Sequence, residues 1–259
     1  MKKKLAKIPG VRPFYRQGRR AIKNLTRPLL DLLLKFHGYT YRMWDVVSDK
    51  NCDFINDPDF MKGYEAAQKQ EKDSAVGCWV VYINQWAAFH AINLEGDFVE
   101  CGVNRGRLSM SNITSLDWRS LKNRKYYLFD TFSGLDSQFS TEKELNSYRN
   151  AYPECYDFVV KSFRDYPNVM IIRGTVPKTL TQVTIDRVAF LHIDMNCVVP
   201  EMEAMKFFWP RLAGGGVVLL DDYAQKGHEN QKKAMDEFAA SQGVKILSLP
   251  TGQGLVIKP

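Results

Sequence analysis

The stretch that decides the fold is Asp97–Gly106, which has the sequence DFVECGVNRG. A short apolar run in it ends at Gly102, and residues 105–118 then have a helical pattern. A strand, a glycine turn and a helix in this order are typical of the first unit of a doubly wound α/β sheet. Glycine at the turn lets the backbone bend tightly and approach a ligand closely.

Apolar runs elsewhere in the chain predict further strands at 125–130, 169–173, 188–194 and 216–221, and helical patterns follow the last two at 200–212 and 230–242. Strands that alternate with helices, and that are apolar with little polar alternation, indicate a parallel sheet covered on both faces. The strand-like runs at 244–249 and 255–258 are joined by a Pro/Gly turn, which predicts a terminal hairpin. We therefore predict an α/β, Rossmann-like fold with a mostly parallel seven-stranded sheet, a C-terminal antiparallel hairpin and an N-terminal helical extension.

Charge is distributed unevenly along the chain. The 259 residues carry a formal net charge of +7, yet residues 1–30 contain ten Lys or Arg and no acid, which leaves 26 basic and 29 acidic residues. No apolar core of a secretion signal follows these charges, and the run 29–36 is too short to cross a bilayer of about 30 Å. The arm is therefore either a solvated segment or a basic surface for an anionic membrane or a partner. No nucleic-acid reader motif accompanies it.

These patterns divide the chain into a basic arm and helical extension at residues 1–94 and a cofactor-binding domain at residues 95–259. The five cysteines have no CxxC spacing, and their odd number favours free thiols over a disulfide or zinc framework. We expect a cytoplasmic homodimer, with peripheral contact between residues 1–30 and the inner membrane face as an open alternative. The polar, aromatic-dotted segment 137–155 is either a lid over a site or a surface insertion.

The first candidate ligand site is the turn that contains Glu100, Gly102 and Gly106. Dinucleotide enzymes bind a pyrophosphate on the helix N-H groups at this turn, whereas a carboxylate beside it favours a cation. S-adenosylmethionine has an ammonium and a sulfonium and no phosphate. The turn therefore predicts an S-adenosylmethionine site, and the alternative is a structural turn with a solvated Glu100.

The second candidate is Asp130-Thr131-Phe132 at the end of the next predicted strand. An acid at this position can accept both hydroxyls of an adenosine ribose. Phe132 is expected either to flank the adenine or to pack in the core. The two motifs together favour an adenosine-containing cofactor, while an Asp130 that only caps the loop is the alternative.

The third candidate is a set of carboxylates that follow two strands, Asp194 after one and Asp221 and Asp222 after the other. Parallel strand ends meet at one edge of a sheet, where ligands bind. If these strands are neighbours, the three acids converge, and an all-oxygen set suits Mg²⁺. The alternative is that Asp194 positions the substrate while Asp221 or Asp222 caps the loop. The candidate catalytic residues are Asp194 and His228, which lies in the loop after Asp222.

The ordered motifs resemble one known family. The segments FVECGVNRG, KYYLFDTFSGL, VMIIRGTVPKTL, AFLHIDMN and RLAGGGVVLLDDY, followed by KKAMDEF, occur in the order typical of macrocin O-methyltransferases of the TylF type, over about residues 95–259. The resemblance implies S-adenosylmethionine, Mg²⁺ and methyl transfer to hydroxyls of sugars in natural products. It also implies that Glu100, Gly102 and Asp130 bind the cofactor and that Asp194, Asp221 and Asp222 bind the metal.

One departure from the family pattern concerns the residue that removes the proton of the acceptor hydroxyl. Characterised sugar-methylating members have a D-x-D motif after the fourth strand, whereas this chain has Asp194-Met195-Asn196. An amide cannot take a proton at neutral pH, so a different base is expected. We predict an O-methyltransferase acting on a sugar, a glycan precursor or a natural product. The alternatives are a non-catalytic, cofactor-binding or membrane-tethered protein of a glycan pathway and an NAD(P)-dependent oxidoreductase.

Overall fold

The structure is a computed structural model that describes residues 26, 28–39, 41–43, 46–71 and 76–259. The chain separates into two compact units, Met1–Cys52 and Asp53–Pro259. In the first unit, helix α1 covers residues 28–36 and precedes two short antiparallel strands, β1 (Tyr41–Met43) and β2 (Val46–Ser48). Most of the predicted basic arm lies outside the described residues. Within those ranges, no helix has both the length and the apolar character that a membrane crossing requires.

The second unit is built on a seven-stranded sheet with the order β5-β4-β3-β6-β7-β9-β8. Its strands are β3 (Asp97–Cys101), β4 (Tyr126–Asp130), β5 (Val169–Arg173), β6 (Val188–Ile193), β7 (Leu212–Leu220), β8 (Leu247–Ser248) and β9 (Gly254–Ile257). Strands β3 to β7 pair in parallel, whereas β9 pairs antiparallel with both β7 and β8. The predicted Rossmann-like sheet and its terminal hairpin are confirmed.

Helices cover both faces of this sheet. They are α2 (Pro58–Gln70), α3 (Cys78–Ala91), α4 (Arg107–Ser115), α5 (Glu142–Ser147), α6 (Tyr156–Phe163), α7 (Val198–Phe208) and α8 (Glu229–Ser241). Successive strand residues point to opposite faces, and the sheet therefore contributes to two buried clusters. Val99 and Leu191 pack with residues of α7 and α8 in one cluster, whereas Phe98 and Phe190 pack with residues of α3, α4 and α6 in the other.

A buried polar seam fixes how α3 packs on α4. Asn84 donates to Asn112 at 2.7 Å, and Gln85 donates to Ser111 at 2.9 Å. Because an unpaired buried amide costs free energy, these pairs define one register between the two helices. Helices α2 and α3 lie in the second compact unit, which therefore begins before the domain predicted at residues 95–259. That functional boundary stays a prediction.

Candidate active site

The candidate site lies where strand order reverses between β3 and β6. Ligands of doubly wound sheets bind at this switch point, outside the carboxyl ends of the strands. Gly102 follows β3 with a φ of +91°, and a Cβ there would lie 1.8 Å from the main-chain oxygen of Asp194, which follows β6. Only glycine therefore allows the two strand ends to come this close, and Gly102 is needed for packing as well as for access.

A cleft opens at this point, and its empty space, open solvent included, is about 740 Å³. The predicted site residues that line it are Gly102, Asp130, Thr131, Phe132 and Asp194. The structure thus brings Gly102 of the first predicted motif, all three residues of the second and one predicted metal carboxylate to a single cleft.

Two predicted cofactor residues do not line the cleft. Gly106 has a φ of +75° at the start of α4, and a Cβ there would lie 2.5 Å from the ring of Phe163. Glu100 is buried on the strand, where it accepts hydrogen bonds from the Ser109 hydroxyl and, at 3.2 Å, from Nδ1 of His192. The roles that the structure gives these two residues are helix packing and a buried polar network.

The network of Glu100 continues to the acidic edge through His192. The imidazole of His192 is fully buried in β6, and its Nε2 lies 3.9 Å from Oδ1 of Asp221. Burial opposes the charged ring, but the flanking carboxylates of Asp221 and Glu100 raise the pKa of His192 to about 10. His192 is thus a cation between two acids.

Asp130 fixes the turns on both sides of the cleft. Its Oδ2 accepts the amides of Val103 at 2.6 Å and Asn104 at 2.7 Å, and its Oδ1 accepts the amide of Phe132 at 2.6 Å. The Thr131 hydroxyl is 3.3 Å from Oδ1 but has one proton and lies closer to the main-chain oxygen of Gly134, at 2.5 Å. The three amides thus fill three of the four acceptor positions of the carboxylate, and a ribose hydroxyl would use the fourth.

Phe132 is held in a strained conformation beside Asp130. Its φ is +56°, a region that bulky side chains seldom adopt, and its ring is buried. Such strain persists only where the surroundings enforce it, and it is frequent at ligand sites. Here the Asp130 carboxylate holds the Phe132 amide, and Phe132 lines the cleft while it packs in the core.

The three predicted metal carboxylates follow paired strand residues. Ile193 in β6 is opposite Leu220 in β7, so Asp194 and Asp221 leave the sheet at the same level. Burial and the charges of Asp221 and Asp222 raise the pKa of Asp194 well above its usual value, and burial with the charge of Asp221 raises that of Asp222 to about 7. This repulsion is what a cation would relieve.

Other partners hold these carboxylates in the structure. Asp221 accepts from Nε2 of Gln253 at 3.1 Å, and Asp194 accepts from Nδ2 of Asn196 at 3.3 Å. Across the described part of the chain, no group of three or more His, Cys, Asp or Glu side chains is arranged to hold a metal ion. The chemistry of the donors fits a hard cation, but the carboxylates do not surround a common point.

His228 lies beside the acidic edge, immediately before α8. Its Nε2 is 2.6 Å from the phenol oxygen of Tyr148, and its Nδ1 is 3.4 Å from Oδ2 of Asp222. Burial lowers the pKa of His228, which favours the neutral ring. Neither His228 nor Tyr148 lines the cleft itself, but Tyr148 stacks on Tyr152, which does. The sequence did not predict the contact between His228 and Tyr148.

The segment 137–155 contributes directly to the site. Ser140 and Tyr152 line the cleft, and Tyr148 stacks on Tyr152 with ring centroids 5.7 Å apart. Glu144 in α5 accepts the amide of Val198 at 3.1 Å, and a carboxylate is favourable at such a helix N-terminus. The segment is therefore docked over the cleft, as the lid alternative requires.

A fourth buried acid adjoins the cluster. Glu201 in the first turn of α7 accepts from Nε2 of Gln231 at 3.3 Å. Burial and the charge of Asp222 raise the pKa of Glu201 to about 8. The sequence gives no signal for Glu201, because an acid in the first turn of a helix is common where it interacts favourably with the helix dipole.

Comparison with known proteins identifies the family. The family model described as macrocin-O-methyltransferase (TylF) matches residues 84–247. The chain belongs to the macrocin O-methyltransferase family. The resemblance stated from the motifs is thereby confirmed, and the match begins within α3.

Individual curated relatives of this chain share about a quarter of its residues over the aligned regions. Demethyldecarbamoylnovobiocin O-methyltransferase of Streptomyces niveus is 25% identical over 158 residues, which cover 57% of this chain and 60% of that protein. Mycinamicin III 3''-O-methyltransferase of Micromonospora griseorubida is 26% identical over 140 residues, which cover 49% of this chain and 55% of that protein. The chain thus spans little more than half the length of these curated relatives.

A solved structure supports the fold. The O-methyltransferase NovP superposes with a TM-score of 0.62 at 21% identity, over 71% of this chain and 81% of that chain. At this identity the likeness extends to the Rossmann-like fold alone.

Proposed function

We propose that this protein is an S-adenosylmethionine-dependent O-methyltransferase that acts on a hydroxyl of a sugar, a glycan precursor or a natural product. The observation that carries the proposal is the cleft at the switch point of a macrocin O-methyltransferase fold, with Asp130 on one side and Asp194 on the other. The relatives named above are O-methyltransferases by name.

The cofactor would occupy the part of the cleft lined by Gly102, Asp130, Thr131 and Phe132. Glycine at the turn would give the ligand access to the main chain, and the Asp130 carboxylate would accept a ribose hydroxyl. Glu100 would act from behind the strand, since its hydrogen bonds to Ser109 and His192 keep its charge close to the first turn. Gly106 would contribute by letting α4 begin against Phe163.

A divalent cation, Mg²⁺, is proposed to bind Asp194, Asp221 and Asp222. Three oxygen donors suit a hard cation, and the pKa values of Asp194 and Asp222 are raised by burial and by the neighbouring carboxylates despite the charge of His192, a repulsion that a bound cation would relieve. When bound, such a cation orients an acceptor hydroxyl and makes its proton easier to remove. The charged ring of His192, whose Nε2 is 3.9 Å from Oδ1 of Asp221, would stabilise that carboxylate while no metal is bound.

Transfer itself needs a base, because an alcohol is a poor nucleophile until its proton leaves. S-adenosylmethionine, when bound, would supply the methyl group to the acceptor oxygen and would leave as S-adenosylhomocysteine, which keeps the electron pair of the broken carbon–sulfur bond. We propose that His228 receives the acceptor proton at Nε2, directly or through the hydroxyl of Tyr148. Its lowered pKa keeps the ring neutral, as a base must be.

A second candidate function is cofactor binding without catalysis, in a glycan pathway. The observation that favours it is Asn196, which stands where sugar-methylating members have an acid and which donates to Asp194 at 3.3 Å. The oxidoreductase alternative has weaker support, because the chain belongs to a methyltransferase family. We further propose a cytoplasmic homodimer with peripheral membrane contact through residues 1–30.

The test is methyl transfer from labelled S-adenosylmethionine to a panel of nucleotide sugars, glycosides and free sugars, with Mg²⁺ present. Labelled product and S-adenosylhomocysteine in equal amounts would support the enzyme. Thermal stabilisation by S-adenosylmethionine without product for any acceptor would favour the binding protein. Stabilisation by NADH alone would contradict both.

A further inference from the structure

Helix α1 exposes large apolar side chains along one face. Leu29, Leu30, Leu32, Leu33 and Phe36 are exposed, from 45% at Leu30 to 87% at Phe36. Leu29, Leu32, Leu33 and Phe36 have the i, i+3, i+4, i+7 spacing of one helix face, whereas Asp31 and Lys35 are on the opposite side. An apolar helix face is normally covered by protein or lipid, so this face of α1 lacks the environment that its side chains require.

The charge around α1 shows which environment fits. Residues 1–30 contain ten Lys or Arg and no acid, while the remaining chain has 26 basic and 29 acidic residues. An anionic lipid surface would attract the arm and repel the rest of the chain. Basic residues adjoining an apolar helix are typical of segments that lie in the membrane interface.

We propose that α1 and the basic residues before it bind an anionic lipid surface, with α1 lying in the plane of the interface. This inference deepens the peripheral contact proposed above and does not depend on methyl transfer. The described helical residues 28–36 extend about 14 Å, less than half of a hydrocarbon core of about 30 Å, and such a length suits a position within the interface. Tyr39, exposed just after α1, is of the residue type that prefers the headgroup region.

A second copy of the chain is a poorer occupant for the same helix. Two copies that met along α1 would bring two arms of ten basic residues each to one place, and like charges oppose that contact. Nucleic acid would satisfy the charges but would leave the leucines in water. An anionic membrane provides both the negative charge and the apolar phase.

The experiment uses the full chain without cofactor or acceptor. Binding is measured by co-sedimentation with vesicles of phosphatidylglycerol and phosphatidylcholine in equal parts, and with vesicles of phosphatidylcholine alone. The double variant Leu32→Ser/Phe36→Ser removes two exposed apolar side chains from α1. Its matched control, Leu247→Ser/Phe89→Ser, removes the same two residue types from exposed positions in the other compact unit.

We expect the α1 variant to lose at least about tenfold in binding to the anionic vesicles, since each buried leucine or phenylalanine contributes that much or more. The control should bind like the parent. Arg19→Gln/Arg20→Gln should lose about fivefold per residue, and added salt should weaken parental binding. Unchanged unfolding temperatures would establish that the variants are folded.

Three results would overturn the proposal. They are equal binding by the α1 variant and the parent, no preference for anionic over neutral vesicles, and a parental dimer that the α1 variant alone converts to monomer in the absence of lipid. The last would make α1 a protein interface. Vesicle binding with no methyl transfer to any acceptor would reject the proposed enzyme and leave the lipid surface standing.

Discussion

The phenol oxygen of Tyr148 lies 2.6 Å from Nε2 of His228, although 80 residues separate them in the chain. This contact joins the segment docked over the cleft to the loop that follows the Asp221-Asp222 pair. On its other side, His228 has Asp222 at 3.4 Å from Nδ1. A phenol, an imidazole and a carboxylate thus follow one another, and the carboxylate belongs to the acidic edge. Substitution of each residue tests whether the acceptor proton moves along this path.

The first prediction concerns the base. His228→Ala should lower kcat by about 10²–10⁴, the usual loss for a general base, without changing the affinity for S-adenosylmethionine. Because burial lowers the pKa of His228 below 6.5, the parental rate should be flat above neutral pH and fall only on the acidic side of pH 6.5. Initial rates at saturating substrates across pH 5.5–9 measure both. Full turnover by His228→Ala would assign proton removal to another group.

The second prediction isolates the hydroxyl of Tyr148. Tyr148→Phe keeps the ring and its stacking but removes the hydrogen bond to His228, so kcat should fall while KM for the cofactor stays constant. Tyr166→Phe, at a tyrosine whose ring packs under Arg119, is the matched control and should be unchanged. If Tyr148→Phe retains parental kcat at every pH, the phenol only holds the lid.

The third prediction concerns Asp130 and the cofactor. Asp130→Asn replaces an acceptor with a group that also donates, which leaves buried amides unpaired at a cost of about 1–3 kcal/mol each. The unfolding temperature should therefore fall by several degrees. In the parent, S-adenosylmethionine at 100 times its Kd should add about 2.7 kcal/mol to the free energy of unfolding. Asp130→Asn should lose the corresponding shift in unfolding temperature. The exposed Asp157→Asn should change neither, and a full cofactor shift in Asp130→Asn would contradict the proposed site.

The fourth prediction concerns metal. Activity should disappear with EDTA and return with Mg²⁺, and Asp222→Asn should remain folded but inactive. Asp236→Asn, at a half-exposed acid on α8, controls for loss of one negative charge. Isothermal titration of Mg²⁺ gives a readout besides turnover, and parental affinity in Asp222→Asn would remove that residue from the site.

The fifth prediction follows from the raised pKa of Glu201. An acid whose folded pKa rises from 4.5 to about 8 binds more protons folded than unfolded between these values, so it loses stability as pH rises through that window. Glu201→Gln abolishes this loss. The unfolding temperature of Glu201→Gln relative to the parent should therefore increase from pH 5 to pH 8.

The control for Glu201 lies two residues further along α7. Glu203→Gln removes a half-exposed acid paired with Lys206, and the difference in unfolding temperature between Glu203→Gln and the parent should not increase from pH 5 to pH 8. If the difference in unfolding temperature between Glu201→Gln and the parent stays constant from pH 5 to pH 8, Glu201 is ionised throughout this range and neighbouring groups stabilise its charge.

The sequence by itself determined the parallel sheet and its C-terminal hairpin, because both depend on local patterns. Apolar runs without alternation specify buried strands, and Pro250 with Gly252 and Gly254 specifies the turn of the hairpin. The three acids at strand ends were also predictable, since parallel strands end at one edge. Tertiary packing changed details, such as a β7 that begins at Leu212, before the predicted 216.

Only the tertiary structure decided what each acid contacts. Glu100 looked like a residue beside a ligand, but strand alternation points it away from the cleft towards Ser109 and His192. Asp130 looked like a free acceptor, yet folding brings three amides to it. Tyr148 gave no signal at all, because its partner His228 is 80 residues away. Hydrogen bonds between such distant residues depend on how the chain folds, and periodicity and motif spacing carry no information about them.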